Sequence, residues 1–221
     1  MNVMVYIDGF NFYYGVYVKN PALKSLKWID YVKLSEQLLP KYKILKVKLF
    51  TAKVDSLGDP NRPVRQATLW RALKQVHGSR IEIIEGSFRT DPKRVPIARY
   101  PNDNPGNIAI EQKIWVMRTE EKGSDVNLAA HLVHDACRNS YDAAMILSND
   151  SDLTEALRIV MQELKKQVIL VNPYSIKKGK TVMALHKLAP NIKTLRKGIL
   201  QSSQLPDPIP GTSIHKPSEW I

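Results

Sequence analysis

Three short acidic stretches have the residue types and placement to do chemistry together: Asp8-Gly9-Phe10-Asn11, Glu121-Lys122-Gly123-Ser124-Asp125-Val126-Asn127-Leu128 and Ser148-Asn149-Asp150-Ser151-Asp152. The first and third each follow a short apolar run, NVMVYI and DAAMIL. In a parallel sheet those runs would deliver Asp8 and Asp150 to the carboxyl ends of two strands, where such folds bind ligands. Each motif alone also fits a humbler use. Asp-Gly after a strand is ordinary turn chemistry, and Asp150 or Asp152 could cap the helix that begins near Leu153. Asp125 weighs differently. Counting by three and four from it gives Leu128, Ala129, Leu132 and Ala136, an apolar stripe that packs on a sheet. A carboxylate at the sheetward end of that stripe is costly to bury unless something positive meets it, although an N-terminal capping role remains the alternative. Carboxylates crowded together raise one another's pKa unless a cation neutralises them. Oxygen ligands without His or Cys select a hard ion, Mg²⁺ or Mn²⁺, which activates water and stabilises charge in phosphodiester cleavage.

The elements needed to bring these residues together are legible as alternating strands and helices. Residues 2–7 read as a buried strand, and Asp30 as the N-cap of a helix over 31–39 that Pro40 ends. A strand over 44–54, a polar turn over 55–63 and a helix over 64–77 stopped by Gly78 follow, then a strand over 80–86. Four prolines and several basic residues make 89–106 a long loop of the functional or mobile kind. Beyond it come a strand over 113–118, a helix over 124–138, a strand over 142–147 and a helix over 152–165. A strand over 168–171, a short helix over 182–188 and a last edge strand over 192–195 complete the series. Such alternation predicts an α/β fold with a mostly parallel sheet and helices on both faces. Residues 1–198 form the expected domain, and 199–221 a proline-rich tail that Trp220 and Ile221 pin back at its end.

Composition narrows the partners. Against 21 Asp and Glu stand 33 Lys and Arg, a net charge of +12 that draws polyanions, nucleic acid first. The basic residues are not gathered on one amphipathic helix, which argues against a membrane surface, and no run is apolar for long enough to span a bilayer. A single cysteine, Cys137, excludes a disulfide framework and fits a reducing, cytoplasmic setting. The apolar N-terminus lacks a basic leader and reads as structure rather than as a signal peptide. An acidic pocket in a basic protein is the combination a nuclease needs.

With DGFN at 8–11, EKGSDVNLA at 121–129 and SNDSDL at 148–153 in this order and spacing, the chain resembles the NYN family, a branch of the PIN-like nuclease fold, from about residue 2 to about 195. The resemblance implies a Rossmann-like (PIN-like) parallel sheet, a Mg²⁺- or Mn²⁺-binding acidic pocket and endonucleolytic cleavage of RNA, single-stranded or structured. Carried onto this sequence, it makes Asp8, Asp125 and Asp150 metal ligands and Asp152 a further ligand or base. Asn11 would orient a phosphate or a water, and Lys122 would touch phosphate at the rim. Many members carry another acid later in the third-motif helix, where this chain has His131. At six residues from Asp125, His131 points away from the sheetward face and reads as a surface or helix-packing residue. Arg89, Lys93 and Arg94 would line a groove for the RNA backbone. Phe10, Phe12, Tyr13, Tyr14 and Tyr17 read more readily as core and rim packing than as a base-stacking surface. A non-catalytic RNA-binding module acting with a protein partner is the alternative, and a homodimer stays open. A phosphohydrolase of the haloacid dehalogenase type would want a second Asp two residues after Asp8, where Phe10 stands.

Overall fold

The computed structural model describes residues 1–56, 58–97, 113–174, 182–189 and 191–220. Six parallel strands form one sheet in the order β3-β2-β1-β6-β7-β8, with β1 at Asn2–Asp8, β2 at Lys43–Thr51, β3 at Ile81–Glu85, β6 at Ala143–Leu147, β7 at Gln167–Asn172 and β8 at Asn191–Thr194. The chain runs outward from β1 through β2 to β3, then returns to lay β6 on the other side of β1. The crevice between the carboxyl ends of β1 and β6 is therefore the topological switch point, the place where sheets of this kind take their ligands.

Both faces of the sheet are covered. Val3, Val5 and Ile7 of β1 point to one side, into a core shared with α2 (Tyr31–Leu38) and α3 (Arg62–His77). Met4 and Tyr6 point to the other, onto α4 (Ser124–Cys137) and α5 (Thr154–Arg158). Strand alternation alone divides the two cores. Asp30 caps α2 as its sequence predicts, accepting hydrogen bonds from the Val32 and Lys33 amides at 3.0 and 2.9 Å. The predicted helix after Asp150 opens with a 3₁₀ turn, becomes α5, and closes with a π turn over Ile159–Glu163. Among the described residues no helix is long and apolar enough to cross a membrane.

Three expectations need correction. Residues 89–96, read as loop, belong to β4 (Ser87–Pro96), paired antiparallel with β5 (Lys113–Lys122) in a separate two-stranded ribbon. In a ribbon both strands are edges, so outward-facing N–H groups have no ladder partner to lose and prolines are tolerated; the rest of that predicted loop, from 98, lies outside the described residues. His131 does not point away from the sheet. Its ring packs edge-on against Phe50 at 5.5 Å, with Nδ1 3.2 Å from the buried Lys48 ammonium. Lys48 is held at 2.6 Å by Asp135, which also accepts the Tyr6 hydroxyl at 2.7 Å. The stretch from 199, read as a tail, begins inside a helix, α7 (Lys197–Ser202), and is packed on the core beyond it. Leu205 and Ile209 are buried, the Trp28 indole donates to the Pro206 carbonyl, and Trp220, one of the two residues expected to pin the end back, lies against Trp28; the other, Ile221, lies outside the described residues.

Candidate metal centre

Asp8 is the last residue of β1 and Ser148 the first after β6; the register that pairs Ile7 with Leu147 sets them side by side. Ser148 Oγ donates to Asp8 Oδ2 at 2.8 Å, while the Asn11 amide donates to Asp8 Oδ1 at 2.9 Å. Asp8 thus caps the short helix α1 (Gly9–Tyr13), and the cap fixes the orientation of the carboxylate. Gly9 is required where it stands: a Cβ there would lie 2.8 Å from the Phe50 carbonyl oxygen of β2. Asn11 Oδ1 accepts from the Asn149 amide at 3.0 Å and so ties the first motif to the third.

Asp150 caps its own turn, accepting from the Asp152 amide at 2.9 Å. The capping reading and the ligand reading of Asp150 hold together, because the cap uses one carboxylate oxygen. Asp125 sits in the first turn of α4 and is not the capping residue; that position is Gly123. Carboxylate oxygens of Asp8, Asp125 and Asp150 all lie within 4.8 Å of one another. Asp152 is exposed and does not join them, although its charge reaches Asp125.

The electrostatics follow from this crowding. Burial, with Asp125 and Asp150 adding to it, pushes the Asp8 carboxyl up to about 7 despite the hydrogen bonds that favour its ionised form. Burial also raises Asp125, and Asp150, Glu121 and Asp152 raise it further. Among the described residues no basic side chain forms an ion pair with Asp8, Asp125 or Asp150. A carboxylate trio without a counter-charge is the arrangement a hard cation resolves. The donor set fits Mg²⁺ or Mn²⁺. All ligands are oxygens, and the oxygens around one six-coordinate ion stand about 3 to 4 Å apart, so small side-chain rotations close the trio.

The trio opens onto a cleft of about 690 Å³. Glu121 and Tyr174 are among its residues to which the sequence assigned no role. Glu121, at the end of β5, accepts from the Ser124 amide at 3.0 Å and faces the cleft beside Asp125. Tyr174, just beyond β7, has a hydroxyl raised by burial and by Asp8 and Asp150. The signal for Glu121 lay in its spacing, three residues before the helix amide it accepts from. Aromatic side chains that include Tyr13, Tyr14, Trp70, Phe88 and Trp220 line the walls, so the N-terminal aromatic cluster divides: Phe12 and Tyr17 are buried, whereas Tyr13 and Tyr14 are exposed.

The basic candidates are dispersed. Lys93 and Lys122 both bind Glu120 at 2.9 Å, together with Arg118, and Arg89 binds Asp91. None of Lys122, Arg89, Lys93 and Arg94 touches the trio or lines the cleft, whose cations among the described residues are Lys27, Arg62 and Arg65. Arg65 is already engaged by Asp59 and Glu219.

Comparison with known proteins agrees with this architecture. The chain is 32% identical over 241 aligned positions to 6-hydroxy-3-succinoylpyridine 3-monooxygenase HspA of Pseudomonas putida (strain DSM 28022 / S16), an alignment spanning 100% of this chain and 75% of the relative. A crystal structure of a protein of unknown function, VPA0982 from Vibrio parahaemolyticus RIMD 2210633, superposes with a TM-score of 0.52 at 17% identity, covering 89% of this chain and 93% of that one, and so shares the fold. The sequence model of the NYN domain matches residues 2–193, which takes in all three acidic motifs and every strand but the end of β8. The chain belongs to the NYN domain family.

Proposed function

We propose that this protein is a metal-dependent endoribonuclease, its metal held by Asp8, Asp125 and Asp150. The observation that carries the reading is the uncompensated carboxylate trio at the switch point of the sheet. A divalent ion bound there neutralises charge on the scissile phosphate and lowers the pKa of a water. The chain's own residues set the stage for that step. Ser148 and the Asn11 amide hold Asp8 in one orientation, and the Asp152 amide does the same for Asp150. The Asn11 side-chain oxygen accepts from Asn149, which leaves the side-chain nitrogen Nδ2 as the group able to donate to a phosphate oxygen in the cleft. Asp152, exposed and outside the trio, is read as a base rather than a ligand.

Charge counts also support a cation-assisted reaction. Among the described residues six acids line the cleft against three bases, and two of those bases are paired with acids of the same lining. An anionic substrate enters such a cleft only if cations come with it. The test is cleavage of a labelled RNA by nuclease-free preparations in Mn²⁺ or Mg²⁺. Asp125→Asn and Asp150→Asn should each lower the rate by more than about a hundredfold while leaving the circular dichroism spectrum unchanged. A wild-type protein that binds RNA yet never cuts it leaves the binding-module reading in place.

The cleft's aromatic walls favour a second reading, a pocket for a planar heteroaromatic acid such as the succinoylpyridine in the name of the Pseudomonas relative. The acidic excess of the lining weighs against it. Calorimetry with 6-hydroxy-3-succinoylpyridine separates the two: micromolar binding, with no RNA cleavage by the same preparation, would favour the small molecule.

A further inference from the structure

The ribbon of β4 and β5 has two faces of different character. Its unbroken register pairs Phe88 with Glu121, Thr90 with Thr119, Pro92 with Met117 and Arg94 with Trp115. Directly opposed residues in an antiparallel pair share a face, and successive pairs alternate. These four pairs therefore lie on one side, as the 2.9 Å contact between the Thr90 and Thr119 hydroxyls shows for one of them. Phe88, Thr119 and Glu121 line the acidic cleft. The surface bearing Met117 and Trp115 is the outward continuation of the cleft wall.

That surface is apolar and exposed where a solvated strand would be polar: Trp115 is 70% and Met117 68% exposed. Arg94 stands opposite Trp115, exposed, with no acidic partner among the described residues. The other face carries Arg89, Lys93, Arg118 and Lys122, all bound to Asp91 or Glu120. The ribbon thus keeps its ion pairs on one side and leaves an indole beside an unpaired guanidinium on the side that leads to the metal centre.

We infer that this cleft-side face is a docking platform for single-stranded RNA, with an unpaired base stacked on Trp115 and the adjoining phosphate held by Arg94. The inference rests on the nuclease reading and gives it a substrate class, because a base within a strand is free to stack on an exposed indole only when it is unpaired. Trp115 is six residues from Glu121, about 20 Å along the strand, so the strand crosses several nucleotides of ribbon before it reaches the carboxylates. A second copy of this chain suits the face less well. The ribbon's 20 residues carry six Lys or Arg against three Asp or Glu, and two such ribbons would repel where a polyanion is attracted.

Binding is measured by fluorescence anisotropy with 5′-labelled oligouridylate in Ca²⁺. Hydrolysis of bis(p-nitrophenyl) phosphate in Mn²⁺, a diester too small to reach the ribbon, is measured beside it. Trp115→Ala should weaken oligonucleotide binding about tenfold and Trp115→Phe much less. Arg94→Ala should weaken it and flatten its salt dependence, whereas Lys93→Ala should do neither. Hydrolysis of the small diester should stay at the wild-type rate in all four. Wild-type affinity in Trp115→Ala overturns the platform while leaving the nuclease reading standing. A wild type that binds the oligonucleotide through Trp115 but hydrolyses neither substrate overturns the nuclease reading and keeps the platform. A wild-type dimer that Trp115→Ala turns into a monomer, with RNA affinity unchanged, assigns the face to a second copy and also overturns the platform.

Discussion

Asp8 accepts two hydrogen bonds that should favour its anion, yet burial beside Asp125 and Asp150 pushes its carboxyl up to about 7. The metal-free protein is therefore destabilised by ionising this group. Between about pH 4 and pH 7 the folded chain holds a proton there that the unfolded chain has released, so stability falls as pH rises through that window, by an amount on the order of a few kcal/mol. Below pH 4 both states are protonated and the effect is absent. Asp8→Asn removes the ionisation. At pH 8 in EDTA the variant should melt about 5 °C or more above the wild type, and at pH 4 the two should coincide. Added Mn²⁺ should raise the wild-type melting temperature at pH 8 and leave that of Asp8→Asn unmoved, since binding to the folded state alone is what stabilises it. Scanning fluorimetry across pH with and without the ion reads all of these values. Coincident melting at pH 8 would mean that the trio relaxes its repulsion in some other way than by taking up a cation.

The elements explain why parts of this site were legible and parts were not. β1 and β6 announce themselves because both of their faces are buried, which gives continuous apolar runs ending abruptly in Asp8 and Ser148. The first strand of the ribbon, β4, was hidden because neither face of the ribbon is buried, and prolines with scattered charge look like loop when no core enforces a period of two; the start of β5, over 113–118, did read as strand. His131 was misplaced for a geometric reason. Asp125 lies at the edge of the buried stripe of α4, whose centre runs through Leu128, Leu132 and Asp135, and His131 stands four residues before Asp135, on the sheetward side. The apposition of ribbon and helix depends on Gly86, between β3 and β4. A Cβ there would lie 2.5 Å from Glu121 Oε1 and 2.7 Å from the Lys122 carbonyl oxygen. The carboxylate can swing aside, but the carbonyl belongs to the backbone leading into α4. Gly86→Ala should therefore shift the start of α4 and carry Asp125 out of the trio. The expected result is a tenfold or greater loss of Mn²⁺ affinity by calorimetry, with a melting temperature lowered by only a few degrees. Unchanged affinity would show that the β5–α4 junction adapts without moving Asp125.

At the scale of the whole molecule, the final segment closes one core and one wall of the cleft together. Its sequence, rich in proline and polar residues, gave no periodic signal, and its few apolar side chains became meaningful only against the surface that receives them. Leu205 and Ile209 fill the core beneath α2, the Leu205 amide donates to the Trp28 carbonyl, and the Asp30 amide donates to Ser203. Glu219 holds Arg65 at 2.9 Å, and Trp220 lines the cleft with its ring tilted against that of the buried Trp28. These two sets of contacts predict separable effects. Ile209→Ala leaves a cavity in a fully buried site and should cost about 2 to 4 kcal/mol, a fall of roughly 5 to 15 °C in melting temperature for a chain of this size. It should leave cleavage per folded molecule unchanged, because Ile209 lies in the core and not in the lining of the cleft. Trp220→Ala, half-exposed at the rim, should cost little stability. It removes an aromatic part of the cleft wall, so it should raise the KM for RNA with a much smaller change in kcat. Parallel melts and cleavage kinetics of the two variants decide the matter. If Trp220→Ala behaves as Ile209→Ala does, losing stability and keeping its KM, the segment is a structural strap and no part of the substrate's path.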